Sequence, residues 1–168
     1  GAPDALATTA KDTNCDGVDG VLADTVFVRA PGGCDSGSCG TLASPCASIG
    51  QGVTNAVAGG RTVVQVVSGT YAAFNLNSTT GVTVRGGYAA GFTSRSGATT
   101  VNGTVGISSS TNATLLDLTI NGTSGGASTG VLVTGGSAAL TRVTVDSGTP
   151  SGAGNSAYGV RAIGGATV

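Results

Sequence analysis

The feature that most constrains the fold is a repeat of short apolar runs at a nearly constant spacing. The run at 115–120 aligns with the run at 140–145, about 25 residues later. The Gly-flanked run at 130–136 aligns with the run at 159–165, about 29 residues later. A period that absorbs a few extra residues in Gly- and Ser-rich connections is typical of solenoids, whose short strands bury a face only by stacking. A β-sandwich would instead show hairpin loops and strict alternation. The sequence therefore predicts stacked strands.

This alignment also predicts which side chains lie on neighbouring strands. Asp117 falls over Arg142, and Thr119 falls over Thr144. Cross-strand pairs of opposite charges or of hydroxyls contribute about 0.2–1 kcal/mol each. We expect Asp117 and Arg142 to form an exposed ion pair that adds little stability.

The composition indicates a thin core of small and β-branched side chains. Among the 168 residues there are 31 Gly, 39% of residues are hydrophobic and only 4% are aromatic. Short strands rich in Val and Thr pack well on a pleated surface. A disordered chain would lack clustered apolar runs, whereas here they occur, as at 63–67. The predicted fold class is all-β, a parallel β-helix (solenoid).

One short helix is predicted near the N-terminus, after a first strand at 25–30. Ser44 followed by Pro45 matches a helix N-cap and a first helical position. Apolar residues then recur every three or four positions, which predicts an amphipathic helix over 46–58 that Gly59 ends.

The chain accordingly divides into three predicted segments. An acidic N-terminal segment with a candidate metal loop covers 1–24, and the first strand, a cysteine loop and the capping helix cover 25–60. The coils of the solenoid cover 61–168, and we expect them to be incomplete at the C-terminus because the last run stops in mid-coil.

All four cysteines lie in the first third of the chain, at Cys15, Cys34, Cys39 and Cys46. An even number of clustered cysteines without His predicts two disulfides formed in an oxidising compartment. A zinc site is the alternative, but the paired C-x₂-C spacing typical of such sites is absent. Three connectivities are open, and the favoured one joins Cys34 to Cys39 and Cys15 to Cys46.

Several motifs in a fixed order give the chain a family resemblance. They occupy 12–20 (Asp-x-Asn-Cys-Asp-Gly-x-Asp-Gly), 44–49 (Ser-Pro-Cys-x-Ser-Ile), 64–71 (Val-x-Val-x-Ser-Gly-Thr-Tyr) and 81–88 (Gly-Val-Thr-Val-Arg-Gly-Gly-Tyr). The chain resembles the non-enzymatic, bacterial surface or secreted branch of the pectate-lyase-like superfamily, along nearly its whole length. The resemblance implies a right-handed parallel β-helix, an exported protein, and a helix that caps the open end of the solenoid.

The segment 12–19 is similar to the first half of an EF-hand calcium loop, with oxygen ligands at alternate positions and Gly17 at the bend. The full loop's bidentate Glu is missing, because the chain contains no Glu. The alternative is an Asp- and Gly-rich turn held by a disulfide. The predicted ligands of a structural Ca²⁺ are Asp12, Asn14, Asp16 and the Val18 carbonyl, completed by Asp19 or Asp24.

Catalytic chemistry is not predicted. There is no His for a nucleophile–base pair, and after residue 35 the only carboxylates are Asp117 and Asp146, at different positions in the repeat. The net charge of −1 without a basic patch disfavours nucleic-acid binding, and no apolar run reaches the ~20 residues that span a bilayer.

Three functions are consistent with such a chain. The first is an extracellular or cell-surface structural or adhesive module that stacks end to end on itself into fibres, or on a longer parent chain. The second is a carbohydrate-binding or polysaccharide-processing protein that uses the tyrosines Tyr71, Tyr88 and Tyr158 as a ligand platform. The third, on the strength of the threonine content, is an ice-binding protein, but only Thr119 and Thr144 stack clearly.

Overall fold

A computed structural model describes residues 12, 15, 17–78 and 80–168. In chain order its helix and strands are β1 (Thr25–Val28), α1 (Ile49–Ala58), β2 (Val63–Val67), β3 (Gly69–Ala72), β4 (Asn75–Asn77), β5 (Thr83–Tyr88), β6 (Thr99–Asn102), β7 (Val105–Leu116), β8 (Leu118–Asn121), β9 (Ser128–Thr141), β10 (Thr144–Asp146) and β11 (Ala157–Ile163).

The strands form two sheets, and every pairing between these named strands is parallel. The larger sheet has seven strands in the order β1-β2-β5-β7-β9-β11, with β4 also paired to β7. The smaller sheet has the order β10-β8-β6-β3. Successive strands often enter different sheets, so the chain crosses the core repeatedly.

The prediction of an all-β right-handed parallel β-helix is wrong. The larger sheet is a continuous, curled half-barrel, and with the smaller parallel sheet and α1 it makes an α/β-type fold. The main reason is the length of β7 and β9, which have 12 and 14 residues. Because β7 pairs with both β4 and β5, strand positions that a solenoid would place on separate faces belong here to one sheet.

The strand pairings expected from the repeat are nevertheless confirmed. Leu115 pairs with Leu140 and Thr119 with Thr144, as the shorter spacing predicts. The longer spacing is observed as well, in the run of pairs that joins β9 to β11. The repeat therefore reports correctly which strands are neighbours, although it does not report the shape of the sheet that they build.

Asp117 and Arg142 mark the corners where the chain passes from the larger to the smaller sheet. Their φ angles are 56° and 52°, in the left-handed region that non-Gly residues seldom adopt. Each corner divides one of the apolar runs, so β7 ends before Asp117 and β9 ends before Arg142. The two strained corners stack, which brings the two side chains together.

Helix α1 covers the main core at the β1 end. It begins at Ile49 with Ser48 as its N-cap, and the Gln51 amide donates to Ser48 Oγ at 3.2 Å. The expected start near Ser44 is wrong, because Cys46 is still extended and forms a bridge with Val28.

A glycine lets α1 approach the sheet closely. A Cβ built on Gly52 would lie 2.5 Å from Val28 Cγ2 and 3.3 Å from Val64 Cγ1. Val28 and Val64 are both fully buried beneath the helix. Because α1 has 10 residues, it is far shorter than a bilayer requires, and the described part of the chain contains no helix able to cross a membrane.

The free edge of β1 is also covered. Phe27 N donates to Gly40 O at 3.0 Å, and Cys46 N donates to Phe27 O at 2.9 Å. The backbone of β1 therefore has hydrogen-bond partners on both sides, with β2 on one side and the cysteine loop on the other.

The disulfide differs from the favoured prediction. Cys39 is bonded to Cys46, and Cys15 and Cys34 are free and exposed. The loop between the bonded cysteines doubles back, with Gly40 N donating to Ser44 O at 2.8 Å, which brings the two Cα atoms to 5.0 Å. This reversal is the physical reason that the Cys34–Cys39 and Cys15–Cys46 pairing is wrong.

A second, smaller hydrophobic cluster lies apart from the main core. It consists of Val18, Phe27, Val67, Tyr88 and Phe92. The Phe27 and Phe92 rings meet edge to face with centroids 4.8 Å apart. The segment around Val18 and the loop around Phe92 therefore cover the larger sheet where β1, β2 and β5 lie side by side.

Candidate functional site

Five charged side chains from distant parts of the chain form one connected ionic cluster. We use the name ionic cluster for Asp19, Arg85, Arg95, Asp117 and Arg142. Arg85 is in the middle of β5 and Asp117 is at a corner between the sheets. The cluster thus joins the N-terminal segment, a central strand, the loop after β5 and two stacked corners.

The innermost part of the ionic cluster is fully buried. Asp19 and Arg85 have 0% and 1% of their side chains exposed, and Arg85 Nη1 lies 3.1 Å from Asp19 Oδ2. The Tyr88 hydroxyl donates to the same carboxylate oxygen at 2.9 Å. Gln65 Nε2 also donates to the backbone carbonyl of Asp19. A buried carboxylate needs such partners, because an unpaired buried charge is strongly unfavourable.

The outer part of the ionic cluster is organised around Asp117, which contacts three arginines. Arg142 binds it with two parallel hydrogen bonds, Nε to Oδ1 at 2.5 Å and Nη2 to Oδ2 at 2.9 Å. Arg85 Nε donates to Oδ2 at 3.2 Å, and Arg95 Nη1 contacts the same oxygen. The predicted Asp117–Arg142 pair is confirmed, but it is one side of a partly buried network rather than an isolated surface pair.

These contacts decide the ionisation of Asp117. Burial acts to raise the pKa of this carboxyl, but hydrogen bonds and charges from Arg142, Arg95 and Arg85 outweigh burial and lower the pKa below its ordinary value. A general acid in a glycosidase needs a raised pKa instead. Asp117 is therefore suited to holding arginines and not to donating protons.

Tyr88 stays neutral in this cluster. Burial is the main cause that raises its pKa far above the ordinary value, and the hydrogen bond to Asp19 raises it further against the opposing charge of Arg85. Because the phenol stays neutral, its hydroxyl keeps its hydrogen and donates a hydrogen bond to Asp19 Oδ2.

The end of the molecule at β10 and β11 differs from the β1 end. We call the outer edges of β10 and β11 the open edge, because each strand pairs with only one neighbour among the described residues. Val160 pairs with Val131 and occupies the equivalent inward position, yet Val131 is 0% exposed and Val160 is 38% exposed. The cross-section of the main core is therefore uncovered at this end.

The three tyrosines do not form one platform. Tyr71 and Tyr88 are buried, and the Tyr71 hydroxyl donates to Val67 O at 2.9 Å while accepting from Ala30 N at 3.2 Å. Tyr158 alone is exposed, on β11, with the Arg161 guanidinium 5.0 Å from its ring centre. Only Tyr158 can offer a ring face to a ligand.

The candidate calcium ligands are only partly covered by the structure, because Asn14 and Asp16 lie outside the described residues. Asp12 Oδ2 accepts a hydrogen bond from Gly17 N at 2.9 Å, and the φ of Gly17 is +93°, as expected for the tight bend. The structure places the Asp19 carboxylate in the ionic cluster instead.

The carboxylate of Asp24, another candidate ligand, is also engaged elsewhere. Asp24 accepts from Thr62 N at 2.8 Å and from Thr62 Oγ1 at 2.5 Å, which fastens the start of β1 to the start of β2. The side chain of Val18 is buried in the smaller hydrophobic cluster. No group of three or more acidic, Cys or His side chains that could hold a metal occurs within the described residues. The calcium loop stays a prediction.

Comparison with known proteins gives no match. No family model, curated protein or solved structure is similar enough to this chain to be matched. The resemblance to the pectate-lyase-like superfamily consequently stays a prediction that rests on the motifs alone.

The ionic cluster and the open edge are thus the two features with functional content. Sequence reasoning identified Asp117 and Arg142 but missed Arg85 and its buried link to Asp19. The available signal was a single charged residue directly after the apolar run 82–84. A charge placed in a buried strand requires a partner of opposite sign.

Proposed function

We propose that this protein is an extracellular structural module that associates with further copies of itself through its open edge. The observation that carries the proposal is that Val160 is 38% exposed, whereas Val131, its partner on β9, is 0% exposed. An uncovered core cross-section beside unpaired strand backbone favours pairing with a further chain. Contact with another sheet would cover both the core cross-section and the unpaired strand backbone.

Two further features support this role. The ionic cluster connects five parts of the chain through charge-assisted hydrogen bonds, which suits a rigid scaffold. The buried Cys39–Cys46 disulfide is of the kind that persists in secreted and surface proteins, where the environment is oxidising.

Association is tested by size-exclusion chromatography with light scattering over a wide range of protein concentration, together with electron microscopy. We expect the mass to rise with concentration above the 15.8 kDa of one chain. A mass of one chain at every concentration would contradict the proposal that copies of this protein associate at the open edge.

Carbohydrate binding is the second candidate, and the Tyr158–Arg161 pair is the observation that favours it. An exposed aromatic ring can stack on a sugar ring, and the adjacent guanidinium suits a sugar carboxylate. An array of neutral and acidic polysaccharides tests this candidate. Binding that Tyr158→Ala abolishes would support it, whereas binding that survives this change would place any sugar site elsewhere.

A further inference from the structure

The outer face of the smaller sheet carries a column of four threonines. Each of the strands β3, β6, β8 and β10 contributes one of them, and each lies beside the next in the strand pairing. The three pairings run without a register shift, so the column is regular. The sequence predicted only its last pair. The members are Thr70, Thr100, Thr119 and Thr144.

A second polar column runs beside the first, two residues further along each strand. Asn102 pairs with Asn121, Asn121 pairs with Asp146, and Ala72 occupies the position on β3. The Asn121 Nδ2 atom donates to Asn102 Oδ1 at 3.1 Å, so the two amides hold each other in place. Residues two apart on a strand lie on the same side of the sheet. We call the four threonines together with Asn102, Asn121 and Asp146 the threonine–asparagine face.

The exposure of this face does not depend on where the sheet ends. Strands β6 and β8 are each paired on both sides, and Asn102 and Asn121 on these strands are nevertheless exposed. Their inward neighbours, Val101 and Ile120, are 0% exposed. Side chains alternate between the two sides of a sheet, so a further strand beside β10 would lengthen the face and would not cover it.

The hydroxyls of the column are free to bind a ligand. Other threonines use their hydroxyls inside the protein, since Thr25 Oγ1 donates to Val21 O at 2.8 Å and Thr104 Oγ1 donates to Thr129 O at 2.6 Å. Within the part of the chain that the structure describes, the four hydroxyls of the column have no hydrogen-bond partner in the protein. Each can therefore both donate and accept a hydrogen bond, as a water molecule does.

We propose that the threonine–asparagine face binds ice. Neighbouring strands are about 4.8 Å apart and alternate residues of one strand are about 6.6 Å apart, so the face presents its polar groups on a nearly rectangular grid. Water oxygens on the prism face of ice repeat at two perpendicular spacings of similar size. Threonine has a restricted χ1 angle, so its hydroxyl is ordered before binding and each weak contact costs little entropy.

A polysaccharide is the other ligand that a surface of hydroxyls and amides could bind, but the structure favours ice. Sugar sites generally use aromatic rings together with a few polar groups in a concave pocket. The seven residues of the face include no aromatic ring. The aromatic residue of β3, Tyr71, is buried on the other side of the sheet with its hydroxyl bonded to Val67 O.

Ice growth in the presence of the purified protein tests this inference. We expect the wild type to shape single ice crystals and to open a gap between their melting and freezing temperatures, which nanolitre osmometry measures. Thr119→Tyr should abolish both effects, because a bulky ring in the middle of the column holds the face away from the ice. Tyrosine is favoured in strands, so the sheet should persist. Asn121→Tyr, at an exposed position, should have the same effect with less risk to the fold.

Thr114 provides a matched control on the larger sheet. It is half-buried, like Thr119, and it lies on β7 where that strand is paired with both β5 and β9. Thr114→Tyr should leave crystal shaping and the temperature gap unchanged. Circular dichroism of the three variants separates the loss of the face from the loss of the fold. The fraction of each protein that is incorporated into slowly grown ice measures binding directly.

The inference does not rest on the proposed function, because it concerns the side chains of a sheet face and not the open edge. Wild-type protein that leaves crystal shape and the temperature gap unchanged at millimolar concentration would overturn it. Activity that persists in folded Thr119→Tyr and Asn121→Tyr would also overturn it, since ice would then contact another surface. Polysaccharide binding that Thr119→Tyr abolishes, without any effect on ice, would assign the face to sugars instead.

Discussion

Replacing Asp19 by Asn tests whether the buried part of the ionic cluster stabilises the fold. Asp19 is fully buried and binds Arg85 Nη1 at 3.1 Å and the Tyr88 hydroxyl at 2.9 Å. Breaking a buried ion pair by removing one charge typically costs 3–5 kcal/mol. Arg85 keeps its contact with Asp117 at 3.2 Å, so the lower end of this range applies. We expect a loss of about 3 kcal/mol in the free energy of unfolding.

Urea denaturation at pH 7, followed by circular dichroism, measures this loss. With a slope of about 2 kcal/mol per molar urea, the midpoint should fall by about 1.5 M. Asp146→Asn is the matched control, because Asp146 is exposed and its carboxylate accepts a local hydrogen bond from Gly148 N at 2.8 Å. Its midpoint should move by no more than about 0.3 M, as surface changes usually contribute within about 0.5 kcal/mol.

A double variant makes the test more specific. Arg85→Met and Asp19→Leu should each lower the free energy of unfolding, because each single variant leaves a buried charge without its partner. The double variant should lose less than the sum of the two single losses, because it removes both charges. Asp117 stays paired in the double variant through Arg95 and Arg142. The reasoning is refuted if Asp19→Asn shifts the midpoint no more than Asp146→Asn does, or if the two apolar substitutions are simply additive.

Further predictions concern the outer cluster, a close packing contact, the cysteines and the candidate metal loop. Because the folded-state pKa of Asp117 is lowered, its contribution to stability is present above the unfolded pKa of 3.8 and is lost as the pH falls from there through the folded pKa. The stability difference between wild type and Asp117→Asn should therefore shrink in urea titrations below about pH 4. Gly86→Ala should cost about 1–3 kcal/mol, because its Cβ would lie 2.6 Å from Asp117 O, whereas Gly37→Ala meets nothing within 4 Å and should be neutral in the same assay. A thiol reagent applied to the denatured, non-reduced protein should label the two cysteines outside the disulfide, and labelling of none would show a second disulfide. Calorimetry of metal-free protein should show calcium uptake that Asp12→Asn removes, and no uptake at millimolar calcium would end the metal-loop hypothesis.

The sequence predicted neighbouring strands well because strands that stack on each other have similar apolar runs at a regular spacing. Leu115 and Leu140 are equivalent positions in successive runs, and their spacing alone identified them as partners. No comparable sequence pattern reports the shape of the sheet. Whether a strand bends at a corner or continues depends on the conformation of single residues between runs. The long pairing of β7 with β9, which runs from Val105 to Leu116 with one register shift between Ser110 and Ala113, is therefore visible only in the structure.

Contacts between distant segments were the least predictable part of the candidate site. Asp19 and Arg85 are 66 residues apart in the chain and belong to no common repeat. Asp19 is a candidate metal ligand by spacing, and only the structure shows that its Oδ2 atom also binds Arg85 and the Tyr88 hydroxyl. The predicted start of the helix was wrong for a related reason. The extended pairing of Cys46 with Val28 outweighs the local preference of Ser44 and Pro45 for a helix start.

The position of α1 along the chain has a consequence for biosynthesis. The helix follows β1 directly and precedes β2, so the cover of the β1 end is complete in the first 67 residues. Chains emerge from the ribosome N-terminus first, and contacts of short sequence separation form fastest. Each later strand then finds a finished template to add to.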